Sequence, residues 1–513
     1  MSENQSNNKQ IVKNTLFLYA RMILTLAVSL YTARVVLNVL GIEDYGIYNV
    51  VGGVVTMLSF MNSALSNATT RFLTFELGVG NNERLKRTFS SIIFIHLVLA
   101  IVMLLIIEAV GYWFVANKLT IPSDRLDAAL FVFHFSVLAC MVNIIELPFH
   151  AAIISHERMD AFAYISIFDV VMKLFIVFLL EEIKLDKLMT YSVLVFLVYG
   201  LTTFIYVFYC FRNFKECKSR PSLDKSIAKP IISFSGWDLY GNFSVVIRNQ
   251  GLNILQNLFF GPIVNAATGI SNQVMTAIMG FAENFLLASK PQIIKQYAEK
   301  NIESFISLIN NISRYSTLLL FLISFPFFLE IDFILQLWLV EVPDFTAEFC
   351  RLSIINNWIS ILYRPVVTGI YATGNAKRIS VINGSIYMFV LPLSYLFLKL
   401  GGSPVIPFIL NILLLFIGHT FFSLKTMHIY VMQFSIFKFL KSSVLMTACI
   451  MLLSAIPTVF IYSVMDYSWN RVLFTFIIST ISIMVFSYFL GVDKQDKQYI
   501  KLFLTRKFTK NNL

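Results

Sequence analysis

FSSIIFIHLVLAIVMLLIIEAVGYW, residues 89–113, carries one carboxylate, Glu108, and no lysine or arginine. At 1.5 Å per residue a helix of this length exceeds the ~30 Å of hydrocarbon in a bilayer. Comparable apolar runs fill the rest of the chain, at 14–37, 45–67, 128–150, 161–180, 189–211, 231–257, 263–287, 305–329, 347–372, 379–399, 405–424, 440–464 and 471–491. The joints carry turn or charge signals such as Glu43-Asp44, Gly261-Pro262, Gly374-Asn375 and Gly401-Gly402. The first run follows a polar decapeptide and is longer than a cleavable signal core, so it reads as a retained helix. The expected fold is therefore all-α integral membrane, with about fourteen transmembrane helices.

Composition agrees: the 513 residues are 57% hydrophobic and 13% charged, against about a quarter charged in soluble domains. The formal charge of +11 would suggest nucleic acid in a soluble protein. In a membrane protein it reflects basic cytoplasmic loops. With the N-terminus inside, 27 of the 40 lysines and arginines fall in cytoplasmic segments and six (Lys118, Arg125, Lys184, Lys187, Lys399, Arg471) in external ones. That ratio places both termini in the cytoplasm. The external segment around Glu330, Asp332, Glu341, Asp344 and Glu348 is acidic, in agreement. Five scattered cysteines (Cys140, Cys210, Cys217, Cys350, Cys449) have no metal spacing and imply no disulfide framework.

An internal repeat organises the chain. Leu18-Tyr19 opens the first run and Leu239-Tyr240 the seventh, and each helix is expected to end at a glycine, Gly41 or Gly261. Beyond the glycines an offset of 220 pairs Tyr45, Asn49, Gly52, Thr56 and Ser63 with Asn265, Gly269, Asn272, Thr276 and Glu283 as two polar stripes of helical period. The six runs between copies make the repeats parallel, about an axis along the membrane normal. Transporters with such repeats hold substrate between their halves. The expected organisation is an N-terminal six-helix lobe (1–212), a basic cytoplasmic linker (213–230), a C-terminal six-helix lobe (231–424), and two further helices with a basic tail (425–513).

Ionised groups at membrane depth cost about 2.5–3.5 kcal/mol each, so they mark partners or cavities. Seven basic residues lie inside the runs: Arg21, Arg34, Lys173, Arg248, Arg314, Arg351 and Arg364. Asp169 and Lys173, four apart, read as a structural pair; Arg34 and Arg351 sit where they can snorkel to an interface. Arg21 continues a face with Asn14, Thr25 and Thr32. The seventh run carries Asp238, Asn242, Asn249, Asn253 and Gln256 on one stripe flanked by Arg248, and is too polar to face lipid all round. The candidate cavity residues are Arg21, Thr25, Arg248, Asp238, Asn242, Asn249, Asn253, Asn49, Thr56 and Asn272. No catalytic, metal or cofactor site is indicated.

The segments LGIEDYGIYNVVGG (40–53), NQGLNILQNLFFGPIVNAATGISNQV (249–274), ASKPQIIKQYAEKN (288–301) and YATGNAKR (371–378) resemble the bacterial polysaccharide transporters. These are the O-antigen or capsule repeat-unit flippases of the multidrug/oligosaccharidyl-lipid/polysaccharide exporter superfamily. The resemblance covers nearly the whole chain, including the two helices beyond a 6+6 core. It implies two lobes in a V, with spans 1, 2, 7 and 8 lining a cavity. It also implies alternating access for an undecaprenyl-pyrophosphate-linked oligosaccharide across the bacterial cytoplasmic (inner) membrane, in capsule, O-antigen and lipopolysaccharide biosynthesis. The family has no short catalytic motif, so no residue role carries over. The expected partners are the lipid-linked oligosaccharide and membrane lipids, with H⁺ or Na⁺ as candidate coupling ions, and no nucleic acid.

Two other readings compete. A membrane glycosyltransferase, polymerase or ligase would need gathered acid/base or metal groups; the six histidines lie apart, no large external loop exists to hold a glycan, and no Asp-x-Asp motif is present. A multidrug or cation antiporter of the same fold is the nearer alternative, although drug-extruding relatives mostly stop at twelve spans and use intramembrane acids. Topology reporters fused at Lys377 and Lys399 should give opposite signals, inside and outside; matching signals would remove the eleventh span and break the 6+6 scheme.

Overall fold

The computed structural model describes residues 2–56, 59–118, 121–339, 342–492 and 497. The side chains of Arg34, Asn49, Thr56 and Asn265, the acid Glu341 and most of the basic tail lie outside the described residues. Fourteen helices account for nearly all of what is described. They are α1 (2–40), α2 (42–56 and Ser59–Val79), α3 (Asn82–Lys118), α4 (Leu126–Ser155), α5 (Met159–Glu182), α6 (Lys187–Asn213) and α7 (Lys225–Phe260). The second set is α8 (Pro262–Ala298), α9 (Ile302–Trp338), α10 (Thr346–Ala372), α11 (Ala376–Lys399), α12 (Ile406–Tyr430), α13 (Ile436–Val464) and α14 (Trp469–Gly491). Among the described residues, ten helices are long and apolar enough to cross a membrane, with mean hydropathy from 1.5 to 2.9. The 36, 37 and 27 residues of α7, α8 and α10 are long enough but too polar to join them.

The chain divides into two compact units, Val12–Asn242 and Phe243–Leu513 with Met1–Ile11. The division falls inside α7, beyond the basic linker. In the first unit α4 packs along α6, α3 and α2 around buried Val51, Ile107, Val132, Phe133 and Leu188. In the second, α10 packs along α8 and α9, burying Met275, Ala282, Leu320, Ile354 and Ile361. The last two helices pair with each other and lie along α9.

The repeat is written in the backbone. Gly41 has φ 81° and ψ 168°, and Gly261, 220 residues on, has φ 79° and ψ −170°. This region is essentially restricted to glycine, because any Cβ collides with its own backbone. The same offset relates Gly80 (φ 74°) to Lys300 (φ 59°). Each precedes an asparagine that caps the next helix: Asn81 Oδ1 accepts from the Arg84 N–H at 3.0 Å and Asn301 Oδ1 from the Ser304 N–H at 3.2 Å. Glu157 (φ 58°) and Gly374 (φ 86°) open the α4–α5 and α10–α11 turns in the same left-handed manner.

Both ends of the first unit are stapled by polar contacts. Arg125, before α4, donates to Asp44 at the start of α2 and to Asp186, which caps α6. Burial pushes the Asp186 carboxyl up, but the Arg125 guanidinium and the Met189 N–H outweigh it and leave its pKa below the usual value. At the other end the linker is pinned. His156 meets Glu216, Ser90 Oγ lies 2.9 Å from Ser222 Oγ, and the Asp224 N–H donates to Ser91 Oγ at 3.2 Å. Glu330 sits at a kink of α9 (φ −95°, ψ 16°) with Asp332 in the helix beyond it, and Arg471 lies in the first turn of α14.

Gly261→Ala should lower the unfolding midpoint of the detergent-solubilised protein by the equivalent of about 1–3 kcal/mol. Lys300→Gly, which removes a left-handed non-glycine residue, should leave the midpoint unchanged or raise it. The reverse order would show that the two joints are not held in these conformations.

Candidate functional site

The intramembrane charges sort by partner. Lys173 Nζ lies 2.8 Å from Asp169, as the four-residue spacing predicts. Arg351 pairs with Asp332, and Arg364 lies 2.8 Å from Glu283 across α10 and α8. Arg314 donates to Asn311 at 3.0 Å. A further pair was not expected: Arg471 of α14 forks onto Glu330 of α9 at 3.1 and 2.8 Å, with Thr475 donating to the same carboxylate at 3.1 Å. Glu330 is 1% exposed and Arg471 8%, so this pair is internal. Its signal, an acid and a base 141 residues apart, has no local periodicity and could not be read from spacing.

Arg248 differs from these. Its Nε and Nη2 reach Asn249 Oδ1 at 3.2 and 2.9 Å, and Nη1 reaches Asn411 Oδ1 on α12 at 3.1 Å. Asn411 in turn donates to Asn356 of α10 at 2.9 Å, and the guanidinium lies 4.6 Å from the Tyr387 ring of α11. Four helices of the second unit thus converge on one cation through neutral groups, and among the described residues no carboxylate forms an ion pair with it. Asn356, Asn411 and Tyr387 were missed in the sequence; an asparagine within an otherwise apolar helix was the available signal.

Arg21 of α1 sits 4.5 Å over the Phe162 ring of α5. His150 of α4 stands edge-on to Phe162 and Tyr206 at 4.8 and 5.9 Å between ring centres, and both His150 and Tyr206 are within electrostatic reach of the guanidinium. Thr25 turns back onto its own helix, donating to Met22 O at 3.1 Å. Arg21 is twenty residues before Gly41, about 30 Å, and Arg248 thirteen before Gly261, about 20 Å.

The polar stripe of α7 is divided between the units. Asp238 is buried and accepts from Asn67 of α2 at 3.0 Å, and Asn242 donates to the Asp238 carbonyl at 2.9 Å. Asn249 is exposed and Asn253 half-buried. Gln256 is buried, donating to Pro404 O at 3.3 Å and accepting from Thr268. On α8, Asn272 is exposed, and its carbonyl receives the Thr276 hydroxyl at 2.8 Å. The side chains of the expected cavity residues Asn49 and Thr56 lie outside the described residues.

No protein-family model and no curated protein matches the chain by sequence. Its architecture is nevertheless found among solved structures. A MATE protein in the straight conformation superposes with a TM-score of 0.71 at 11% identity, over 83% of this chain and 96% of that one. The chain has the MATE transporter fold. A MOP-superfamily transporter from Pyrococcus furiosus, described as having a binding pocket of reversed polarity, gives 0.66 at 12% identity over 84% and 96%. An outward-facing multidrug resistance MATE family transporter gives 0.65 at 12% over the same shares. Fourteen helices and a multi-pass membrane chain accord with this fold.

The division into paired and neutral-held cations is testable. Arg471→Met should cut membrane abundance sharply, since breaking a buried pair costs about 3–5 kcal/mol, and Glu330→Met added to it should restore much of the loss. Failure of the double variant to recover would mean that Arg471 acts outside the pair.

Proposed function

We propose that the chain flips a polyprenyl-pyrophosphate-linked oligosaccharide, an O-antigen, capsule or exopolysaccharide repeat unit, across the bacterial cytoplasmic membrane by alternating access, without enzymatic chemistry. The observation that carries this reading is Arg248, a membrane-depth guanidinium held by Asn249, Asn411 and Tyr387. A cation kept charged without a carboxylate is suited to an anionic cargo, and its fork matches phosphate oxygens. Arg21, cushioned on Phe162, supplies a second guanidinium for the same chemistry. Asn249, Asn253 and Asn272 offer amide groups for sugar hydroxyls. The two helices after the twelfth, and the likeness of residues 40–53, 249–274, 288–301 and 371–378 to the polysaccharide transporters, support the same choice. Both termini lie in the cytoplasm in this scheme, and H⁺ or Na⁺ is the candidate coupling ion.

The multidrug antiporter reading draws on a buried membrane acid, Asp238, and on the MATE structures the chain resembles. The Pyrococcus furiosus relative, whose pocket polarity suggests a different function, supports assigning cargo by pocket charge within this fold. In a host that displays the glycan, Arg248→Lys should retain part of the display, whereas Arg248→Gln and Arg21→Ala/Arg248→Ala should abolish it at normal membrane abundance. Normal display from the abundant double variant would defeat the cationic-cavity reading. Drug efflux abolished by Asp238→Asn but unaffected by the arginine changes would favour the antiporter.

A further inference from the structure

A groove of about 450 Å³ opens within the first unit between α2, α3 and the first half of α7. Leu65, Val98, Val102, Ile232, Gly236 and Leu239 line it, and its one polar side chain is Ser235. Val98, Val102 and Ile232 are 45%, 44% and 55% exposed, so the lining is open rather than packed by protein. The walls are fixed relative to one another. Asn67 bonds Asp238 at 3.0 Å, and the Phe72 and Phe234 rings meet edge-on at 6.0 Å, tying α2 to α7 beside the groove.

The helix faces that form the groove become basic at one end only. Arg87 precedes the α3 lining by two turns, and Lys229 and Lys225 precede Ile232 by one and two turns on the same face of α7. Lys225 and Lys229 are exposed, and the Arg87 side chain is 65% exposed. One carboxylate, Asp224, stands at the mouth, 3.4 Å from Arg87. Its Oδ2 faces Arg87, and its Oδ1 accepts from the Ser226 N–H at 3.0 Å and hydroxyl at 2.6 Å, so one acid stands against the three cations Arg87, Lys225 and Lys229. The mouth keeps a surplus of positive charge on the side of the protein that bears the basic loops.

We propose that this groove binds one acyl chain of an anionic phospholipid from the cytoplasmic leaflet, with its phosphate at Arg87 and Lys229. Length favours a phospholipid over a polyprenyl carrier. The lining covers residues 94–102 of α3 and 232–239 of α7, a rise of about 10–12 Å, close to the ~15 Å of one leaflet and far shorter than an undecaprenyl chain. The charge pattern matches the leaflet as well, because anionic lipids accumulate beside cytoplasmic basic segments. This site does not depend on the cargo assigned above. Gly236 gives direct access to it, since a Cβ built there meets nothing within 4 Å, so a side chain can start into the groove from this position.

The test is native mass spectrometry of the full-length protein in non-ionic detergent, titrated with phosphatidylglycerol and phosphatidylcholine of identical acyl chains. The wild type should retain phosphatidylglycerol preferentially. Arg87→Gln and Lys229→Gln should each reduce that preference about fivefold, and Gly236→Phe should reduce retention of both lipids at an unchanged unfolding midpoint. Equal retention of the two lipids by the wild type, or undiminished retention by folded Gly236→Phe, would overturn the proposal. Should Gly236→Phe not fold, the wild type supplies the same decision with a phosphatidylglycerol carrying a diazirine on its acyl chain. Labels within 94–102 and 232–239 support the site. Labels only elsewhere, or displacement of the probe by polyprenyl phosphate in preference to phospholipid, reject it.

Discussion

A peptide N–H or C=O left unpaired in hydrocarbon costs several kcal/mol, and the joints of this chain answer to that constraint. Helices can cross freely, but each must end in a turn that closes its own hydrogen bonds. The left-handed residues at Gly80, Glu157, Lys300, Gly374 and Gly401 do this. The last carbonyls are capped by the chain that turns back, as when the Arg158 N–H reaches Ile153 O at 3.0 Å and the Gly402 N–H reaches Phe397 O at 3.0 Å. Gly41 and Gly261 solve a related problem with a conformation that only glycine tolerates. Because the joints are so constrained, the halves retain a common backbone where their side chains have diverged.

The same low dielectric decides what the buried charges do. Lys173, Arg351, Arg364 and Arg471 each meet a carboxylate within their own unit, which neutralises them and ties helices together. Arg248 is held instead by amides and a ring. Asparagine and tyrosine hold a guanidinium through weaker contacts than a carboxylate would make, and they do not cancel its charge. That contrast links the packing of α7, α10, α11 and α12 to the proposed handling of an anionic headgroup.

Much of this architecture was legible in the sequence, because membrane helices are long and the signal accumulates. Run length and hydropathy mark most spans, while α7, α8 and α10 fall short because their polar residues lower the mean. The repeat was readable through Gly41, Gly261 and the asparagine turns, since backbone geometry restricts those positions to few residue types. The Asp169–Lys173 pair followed from helical period. What lay beyond reading was chemistry assembled from distant segments. Asn356 and Asn411 look like isolated amides until α10 and α12 bring them to Arg248, and the Gln256 amide faces Thr268 and Pro404 although its stripe suggested a cavity. Arg471 and Glu330 were taken for loop residues because charge at a span end resembles an interface.

The separation of those two residues also bears on how the protein is made. Asp169 and Lys173 emerge within one turn of the same helix, so that charge is cancelled before the segment leaves the insertion machinery. Glu330 must wait for a partner 141 residues downstream, which at about 5–20 residues per second means an interval on the order of ten seconds. During that time α9 holds an uncompensated acid in or beside the bilayer. Its carboxylate has no Arg471 fork to meet until α14 arrives. Completion of the second unit is thus a timed event in biogenesis, with the final helix acting as the latch that lets an earlier one settle to its full depth.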